Sequence, residues 1–307
     1  MTNRFLRSMM ALAVTSAIMS AAAVQIAAQA KAPPPPKNPP PPGWIDPRNP
    51  PKEDPNWKPP RTQDGQPNIE GQWAQASDII TYSIEDPEAE RAEHVALGGQ
   101  RPMIGRPIID PPDGRIPYLP WAAKFAALLH DEHKKPSKPE YLDPVSRGFQ
   151  EGLPRINYQG AFQIHQFPGT VLITYDYHHS FRVIPVDGST HIGKDIKLWM
   201  GDSRGRWEGN TLLVDVTNNT DQTWFDIVGA FHTDALHLVE RWTPTATGHI
   251  VYIVTVEDPN VYTQPWKLRI DFRRQNVEEQ WENAVWEGNK LGGLPQEFWG
   301  SAKKAKK

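Results

Sequence analysis

The ionisable side chains that could do chemistry are concentrated in three short stretches of the sequence. These are residues 176–182, 199–209 and 232–241, which together contain His, Asp, Glu, Arg and Trp. A His and a carboxylate can act as a general acid–base pair, and an Arg can stabilise a developing oxyanion. The three stretches therefore predict a site that holds a polar organic molecule against an aromatic wall.

Four residues are the candidates for catalysis. His179 is the candidate for proton transfer, Asp176 and Glu240 for the orienting group or base, and Arg182 for the anion clamp. In a strand over Ala235–Trp242, Glu240 has apolar neighbours on its own face. Its carboxylate must therefore pair with a cation or have its pKa raised. The candidates for ligand contacts are Trp199, Trp207, Tyr175, His165, His237 and Arg241.

Strand geometry limits which of these residues can act together. His237 is a second candidate for proton transfer, but alternation places it on the opposite face from Glu240. The two cannot enter one cavity unless a β-bulge intervenes. Glu240, Arg182 and His179 are therefore the more coherent trio.

Two other interpretations of the same residues stay open. Asp176, His179, His232 and Asp234 offer imidazole and carboxylate ligands to a divalent metal, although their spacing matches no compact metal motif, and His232 and Asp234 are the weak candidates. Alternatively, these groups are structural ion pairs, with Glu240 bound to an Arg. We expect no cofactor. The chain has no Gly-rich phosphate loop and no G-x-S-x-G elbow, which excludes the common doubly wound enzymes, and it has no Cys, which excludes Fe–S clusters and thiolate metal sites.

The elements that must position these residues are β-strands. Residues from 159 onward alternate between apolar and polar with a period of two, and short turns separate the runs. The pattern predicts strands over Ala161–Phe167, Val171–Tyr177, Phe181–Val186, Thr211–Thr217, Ala235–Trp242, Ile250–Glu257 and Lys267–Arg273, with Val277–Trp286 as a further candidate. Successive strands with tight turns predict an all-β fold, an antiparallel up-and-down barrel or strongly curled sheet of about eight strands.

The first half of the chain has weaker apolar patterns and one clear helix. Trp121, Phe125, Leu128 and Leu129 are spaced as on one helical face, and Pro120 precedes them. We expect this helix, over Trp121–His133, to pack on or cap the sheet. The fold is predicted to have one or two such peripheral helices.

The two ends of the chain are predicted to lie outside the fold. Residues 1–30 have a basic start, an apolar stretch and a small-residue cleavage pattern, so they predict a signal peptide and a periplasmic or secreted protein. Residues 31–65 are a Pro-rich strap or linker, since 14 of the 32 Pro lie between positions 33 and 60. Residues 66–299 form a single β-rich domain, and residues 300–307 form a basic tail.

The composition of the chain limits the classes of partner that we expect. With 33 Lys and Arg against 36 Asp and Glu, the net charge of −3 gives no reason to expect a nucleic-acid partner. After the signal, no stretch approaches the roughly 18 apolar residues of a spanning helix, so we expect no membrane insertion. A small organic ligand is the expected partner, and the oligomeric state is left open.

Several motifs resemble those of a large family of secreted soil-bacterial hypothetical proteins. They include residues 109–118, residues 163–169, the run from Leu198 to Leu212, and the run from His232 to Arg241. The resemblance covers nearly the whole folded part but implies no activity. Members of the family often have Glu where this chain has Asp176, a shorter side chain that puts a role for this position in doubt.

A second resemblance is to lipocalin-like barrels, whose first strand often carries G-x-W, here Gly71-Gln72-Trp73. Such barrels hold one small ligand in the mouth. We expect an exported protein that binds a small organic compound, with cofactor-independent lyase, dehydratase or isomerase chemistry as the catalytic version. The alternative is a non-catalytic carbohydrate-binding or interaction protein that uses exposed aromatic rings.

Overall fold

Within residues 56–75, 82–85, 107–275 and 280, which are those that the structure describes, nine strands form a nearly closed β-barrel. The structure is a computed structural model. The order in the sheet is β5-β4-β3-β1-β10-β9-β8-β7-β6, and β2 pairs with β10 beside this path. The strands are β1 (Gly71–Gln75), β2 (Ile108–Asp110), β3 (Phe162–Phe167), β4 (Thr170–Tyr175), β5 (Phe181–Pro185), β6 (Asp202–Glu208), β7 (Thr211–Thr217), β8 (His237–Ala246), β9 (His249–Glu257) and β10 (Trp266–Arg274).

The all-β barrel predicted from the alternation is confirmed. The seven predicted strands correspond to β3, β4, β5, β7, β8, β9 and β10, and β7 has the predicted bounds. The alternation missed β1, β2 and β6, which are short or carry Gly, Arg and Asp in place of a run of β-branched residues. β1 does contain Gly71-Gln72-Trp73, where the lipocalin-like resemblance placed a first strand. The candidate strand Val277–Trp286 lies, apart from Gln280, outside the described residues.

β1 connects the two parts of the sheet, because it pairs with β3 on one side and β10 on the other. The barrel closes where the two end strands, β5 and β6, lie beside each other, and we call this place the seam. Each neighbouring pair along the sheet is antiparallel, including β1 with β3 and β1 with β10. With nine strands on the path, β5 and β6 at its two ends therefore point in the same direction. Parallel neighbours need a crossover, and residues 186–201 provide it.

The inner face of the barrel is an aromatic and β-branched core. Trp242 stacks on Phe272 with ring centroids 5.4 Å apart, and Phe162 meets Phe272 edge to face at 5.0 Å. These rings are fully buried, as are Val214, Val254 and other inward-facing residues of the strands. Burial of such rings is a main source of stability in a domain without disulfides.

Helices and loops cover one end of the barrel. The predicted helix is α1 (Pro120–Glu132), and it packs through Phe125 against Phe231 with ring centroids 5.0 Å apart. A second helix, α2 (Ile156–Gln159), leads directly into β3, and 3₁₀ turns lie at Pro139–Tyr141 and Val145–Arg147. Among the described residues, no helix is both long enough and apolar enough to span a membrane.

Buried Arg155 fastens this cap. Its guanidinium donates to both carboxylate oxygens of Asp143, at 2.7 and 3.0 Å, and to the backbone carbonyl of Asp226 at 3.3 Å. Asp226 in turn accepts from the backbone N–H groups of Ile84, Gly229 and Ala230. Arg155 and Asp226 thus hold together three connections: the segment before β3, the segment between β1 and β2, and the segment between β7 and β8.

The close approach of β5 and β6 at the seam leads to a testable prediction about Gly205. A Cβ atom there would lie 2.7 Å from Val186 Cγ1 and 2.8 Å from Ile184 Cγ2, so only Gly allows β5 and β6 to approach closely. We expect Gly205→Ala to lower the free energy of unfolding by about 1–3 kcal/mol in urea denaturation, because stiff β-branched side chains must move. Gly193→Ala is the matched control, since a Cβ there would have nothing within 4 Å. Equal effects of the two substitutions would contradict this account of the seam.

Candidate functional site

A buried ion pair joins β5 to β8 inside the barrel. Arg182 Nη2 donates to Glu240 Oε2 at 2.6 Å, and the two side chains are 2% and 0% exposed. Arg182 Nε also donates to Ser203 Oγ of β6 at 2.8 Å, so the guanidinium crosses the seam. The pairing of Glu240 with an Arg, left open by the sequence, is what the structure shows.

Three further side chains complete this interior network. Tyr252 Oη donates to Glu240 Oε1 at 2.7 Å, and Asn157 Nδ2 of α2 donates to the same oxygen at 3.3 Å. Tyr175 Oη donates to Asn157 Oδ1 at 2.8 Å. Burial raises the pKa of Tyr252 well above its ordinary value, and the charge of Glu240 adds to this, so the hydroxyl keeps its proton. Burial acts to lower the pKa of Arg182, but the facing carboxylate of Glu240 outweighs it and raises the pKa.

Asp176 and His179 lie elsewhere, at the turn between β4 and β5. His178 and His179 both have left-handed backbones, with φ of 54° and 50°, and Ser180 N–H donates to the carbonyl of Tyr177. His179 is exposed, whereas Asp176 is half-buried. The predicted trio of Glu240, Arg182 and His179 is therefore divided between the interior and the surface.

The turn opens onto a cleft of about 590 Å³. Its apolar wall comes from outward-facing side chains of β4 and β5, namely Leu172, Phe181 and Val183, and its polar edge contains Asp176, His179 and Ser180. Tyr175, at the end of β4, also lines it, and so does Gln280, whose Oε1 accepts from Thr174 Oγ1 at 2.7 Å. Two catalytic candidates thus share one concave surface. Tyr175 borders it, but its side chain is 3% exposed and its hydroxyl lies in the interior network.

The environment of Asp176 is unusual for a carboxylate near the surface. Oδ2 accepts from Ala161 N–H at 3.2 Å, while Oδ1 is buried and has no hydrogen-bond partner among the described residues. Burial raises the pKa of Asp176 above its ordinary value, despite the lowering effect of backbone hydrogen bonds. Gly160 permits this position, because a Cβ there would lie 2.5 Å from Oδ1.

His237 lies in a chain of imidazoles and carboxylates on the outer face. Its Nε2 is 3.0 Å from Asp215 Oδ2 and its Nδ1 is 3.1 Å from Glu257 Oε2. Asp215 Oδ1 is 2.8 Å from His191 Nε2, and His191 Nδ1 is 2.7 Å from Asp202 Oδ2. His237 and Glu240 therefore do lie on opposite faces of β8.

The two weak metal candidates are not brought together. His232 is buried in the cap, with Nε2 2.8 Å from Thr223 Oγ1 and Nδ1 2.9 Å from the carbonyl of Thr233. Asp234 is exposed and pairs with Lys197 at 3.4 Å. Across the described part of the chain, no group of three or more His, Asp or Glu side chains is arranged to hold a metal ion.

The remaining ligand-contact candidates are scattered over the surface. Trp199 packs against Phe149, with ring centroids 5.4 Å apart, and Trp207 lies at the edge of the core. His165 is half-buried on the outer face of β3, and Arg241 pairs with Glu208 at 3.2 Å. These four do not converge on the cleft.

A second cavity, which the sequence did not indicate, lies beside α1. It has a volume of about 320 Å³ and is lined by Glu85, Arg115, Tyr118 and Asp226 among others. Burial raises the pKa of Asp226 to about 6 and also raises the pKa of Glu85. The signal available in the sequence was weak, because Glu85 lies outside any periodic run.

The interior ion pair makes a second prediction. We expect Glu240→Gln to destabilise the protein by about 3–5 kcal/mol, because it leaves the Arg182 guanidinium buried without a carboxylate. Arg182→Met with Glu240→Leu should cost clearly less than the sum of the two single substitutions, measured by urea denaturation. Arg241→Gln is the control on the same strand, and its exposed pair should matter little. Additive single effects would refute the coupling.

The outer chain of imidazoles makes a third prediction, on pH. Burial acts to lower the pKa of His237, but the hydrogen bonds that its imidazole donates to Asp215 and Glu257 outweigh burial and raise the pKa. Burial acts to raise the pKa of Asp215, but the hydrogen bonds that it accepts from His237 and His191 lower the pKa. The contribution of His237 to stability is therefore present below its unfolded pKa of about 6.5 and is lost as pH rises through the higher folded value. That of Asp215 is present above about pH 3.9 and is lost as pH falls through its lower folded value.

His237→Gln should thus destabilise the protein at pH 5.5 by no more than about 1 kcal/mol, since both partners are about a third exposed, and by less at pH 9. Denaturation curves at the two pH values measure this. His165→Gln is the control, because His165 makes no side-chain hydrogen bond with the described residues. A cost of His237→Gln that is equal at both pH values would rule out the assignment.

Comparison with known proteins adds no function to this geometry. No protein-family model matches the chain. No curated protein matches it either. What the protein does must therefore be argued from its cavities and the groups that line them.

Proposed function

We propose that the protein binds a small amphipathic organic molecule in the cleft at the β4–β5 turn. The observation that carries this proposal is the composition of the cleft, which combines an apolar wall with a His and a carboxylate at one edge. Its volume of about 590 Å³ falls within the roughly 300–1,000 Å³ typical of small-molecule sites.

Exposed apolar side chains support a binding role for this surface. Phe181 is 65% exposed and Val183 is 49% exposed, on the same face of β5. Two such neighbours leave apolar area in water that a ligand would cover, and each buried Å² contributes about 25 cal/mol to the driving force. The apolar body of the ligand belongs against this wall.

The catalytic part of the proposal is that Asp176 and His179 transfer a proton to and from the bound molecule. A carboxylate whose pKa is raised by burial is a better base than an ordinary one, and a His at its side of the cleft is suited to return a proton. Abstraction and return of a proton at a carbon next to a carbonyl group balances without any further reactant. Isomerisation belongs to this class. Dehydration differs in that His179 gives its proton to a departing hydroxyl group, so that water leaves as the C=C bond forms, and hydration is the reverse step with water as the reactant.

Export to the periplasm or beyond, through a cleaved signal at residues 1–30, is part of the same proposal. Its support is the sequence pattern alone. A protein in that compartment meets small organic compounds directly.

The proposal predicts a specific response to ligands. In a thermal-shift screen of aromatic acids, terpenoid alcohols and neutral sugars, we expect amphipathic compounds to raise the melting temperature. A ligand at about 100 times its Kd contributes about 2.7 kcal/mol of stability. Phe181→Ala should weaken binding roughly tenfold through lost apolar contact. Phe167→Ala is the matched control, because Phe167 is 55% exposed but does not line the cleft.

Four outcomes would overturn the proposal in whole or in part. A screen that stays silent at millimolar concentration, or an equal loss with Phe181→Ala and Phe167→Ala, removes the site. A response to neutral sugars alone supports the carbohydrate-binding alternative. For a bound carbonyl compound, deuterium uptake from D₂O measured by NMR should fall with Asp176→Asn and with His179→Gln, and uptake unchanged in both variants removes the catalytic part.

A further inference from the structure

A second cavity beside α1 shares no residue with the cleft at the β4–β5 turn. It lies between α1 and the loops at residues 82–85 and 226–230, and it has a volume of about 320 Å³. The space exists because the facing side of α1 carries small side chains, Ala123, Ala126 and Ala127, at positions that adjoin on a helix. Larger residues at these positions would fill it.

Glu85 is the principal polar group of this cavity. Its Oε1 accepts from the backbone N–H of Ile116 at 2.7 Å, which fixes the carboxyl group. Its Oε2 makes no hydrogen bond with any described residue, so that oxygen is available to a ligand. Burial raises the pKa of Glu85, which outweighs the opposing effects of the Ile116 hydrogen bond and of Arg115.

The loop that faces Glu85 is rigidly held. Both carboxylate oxygens of Asp226 accept hydrogen bonds from backbone N–H groups. Oδ2 accepts from Ile84, and Oδ1 accepts from Gly229 and Ala230, at 2.9 to 3.0 Å. This fastens the residue before Glu85 to the opposite wall. The position of Glu85 therefore depends on the folded cap and not on contacts along the chain.

The charge around the cavity is negative. Glu85, Asp131 and Asp226 line it, and Asp113 is close enough to raise the pKa of Glu85. The basic side chains that line the cavity are Arg115 and His130. The His130 imidazole is 61% exposed and the Asp131 carboxylate, 3.8 Å away, is 84% exposed, so this pair belongs to the rim and Glu85 and Asp226 are the inner charges.

Tyr118 supplies an aromatic surface and a hydroxyl. Its ring stacks on Phe231 with centroids 6.1 Å apart, which fixes its plane. Its hydroxyl makes no hydrogen bond with any described residue. A cation beside a carboxylate and an aromatic ring is stabilised by both, whereas an anion would face the carboxylates.

We infer that this cavity is a binding site for a small organic cation, a primary amine in particular, whose ammonium group lies against Glu85 and Tyr118. An ammonium donates three hydrogen bonds, which suits the available Glu85 oxygen and the Tyr118 hydroxyl. The alanine side of α1 accommodates the apolar part of the molecule. A bound cation also relieves the cost of the half-buried carboxylate.

Three probes of nearly equal size separate charge from shape: benzylamine, benzyl alcohol and benzoate. In isothermal titration calorimetry at pH 7.5, we expect benzylamine to bind and the other two to bind at this cavity at least tenfold more weakly. Glu85→Gln should weaken benzylamine binding by about tenfold or more, since its amide still accepts from Ile116 N–H but carries no charge. Glu208→Gln is the control, because Glu208 is an exposed carboxylate on β6.

A filling variant makes the test independent of Glu85. Ala126→Leu keeps good helix propensity and should abolish benzylamine binding by occupying the cavity. Folding of each variant is checked by its melting temperature. No benzylamine binding at millimolar concentration, benzyl alcohol binding that is equally strong and equally reduced by Ala126→Leu, or full benzylamine binding by both Glu85→Gln and Ala126→Leu would each overturn the inference. Phe181→Ala, which tests the other cleft, should leave benzylamine binding unchanged.

Discussion

The contact on which the rest of the structure depends is the buried ion pair of Arg182 and Glu240. One guanidinium reaches Ser203 on β6 and Glu240 on β8 from its own position on β5. Because β5 and β6 run parallel at the seam, a hairpin cannot join them, and side chains must connect the two edges. The pair does so at full burial, which requires that Tyr252 and Asn157 satisfy the remaining carboxylate oxygen.

This arrangement determines where ligands can bind. The barrel interior around the pair is filled by Phe162, Trp242 and Phe272, which pack with centroids 5.0 to 5.8 Å apart. Charged groups that are already paired in such a core are poorly placed for acid–base work on a ligand. The groups suited to it lie at the periphery, in the cleft of Asp176 and in the cavity of Glu85.

The strands and α1 could be predicted because their patterns are local. Thr211–Thr217 has a clean alternation, and the strand was located to the residue. β6 was missed because its sequence, DSRGRWE, reads as polar, and its Gly205 is required by a contact with β5 that no local pattern encodes. Pairing of Glu240 with an Arg followed from its apolar neighbours, but the partner depended on the fold. Glu85 gave only a weak signal, because it becomes half-buried only when residues 82–85, α1 and the loop at 226–230 assemble.

The backbone of the β4–β5 turn bears on why Asp176 and His179 matter. Two successive left-handed residues are the geometry of a type I′ turn, for which Asn-Gly is strongly preferred. Here both positions are His, each at a cost of about 1–3 kcal/mol. The flanking strands hold this conformation, since Tyr175 and Arg182 on either side are anchored in the interior network. The same network that closes the seam therefore fixes an imidazole at the edge of the cleft, which couples the stability of the barrel to the geometry of its proposed site.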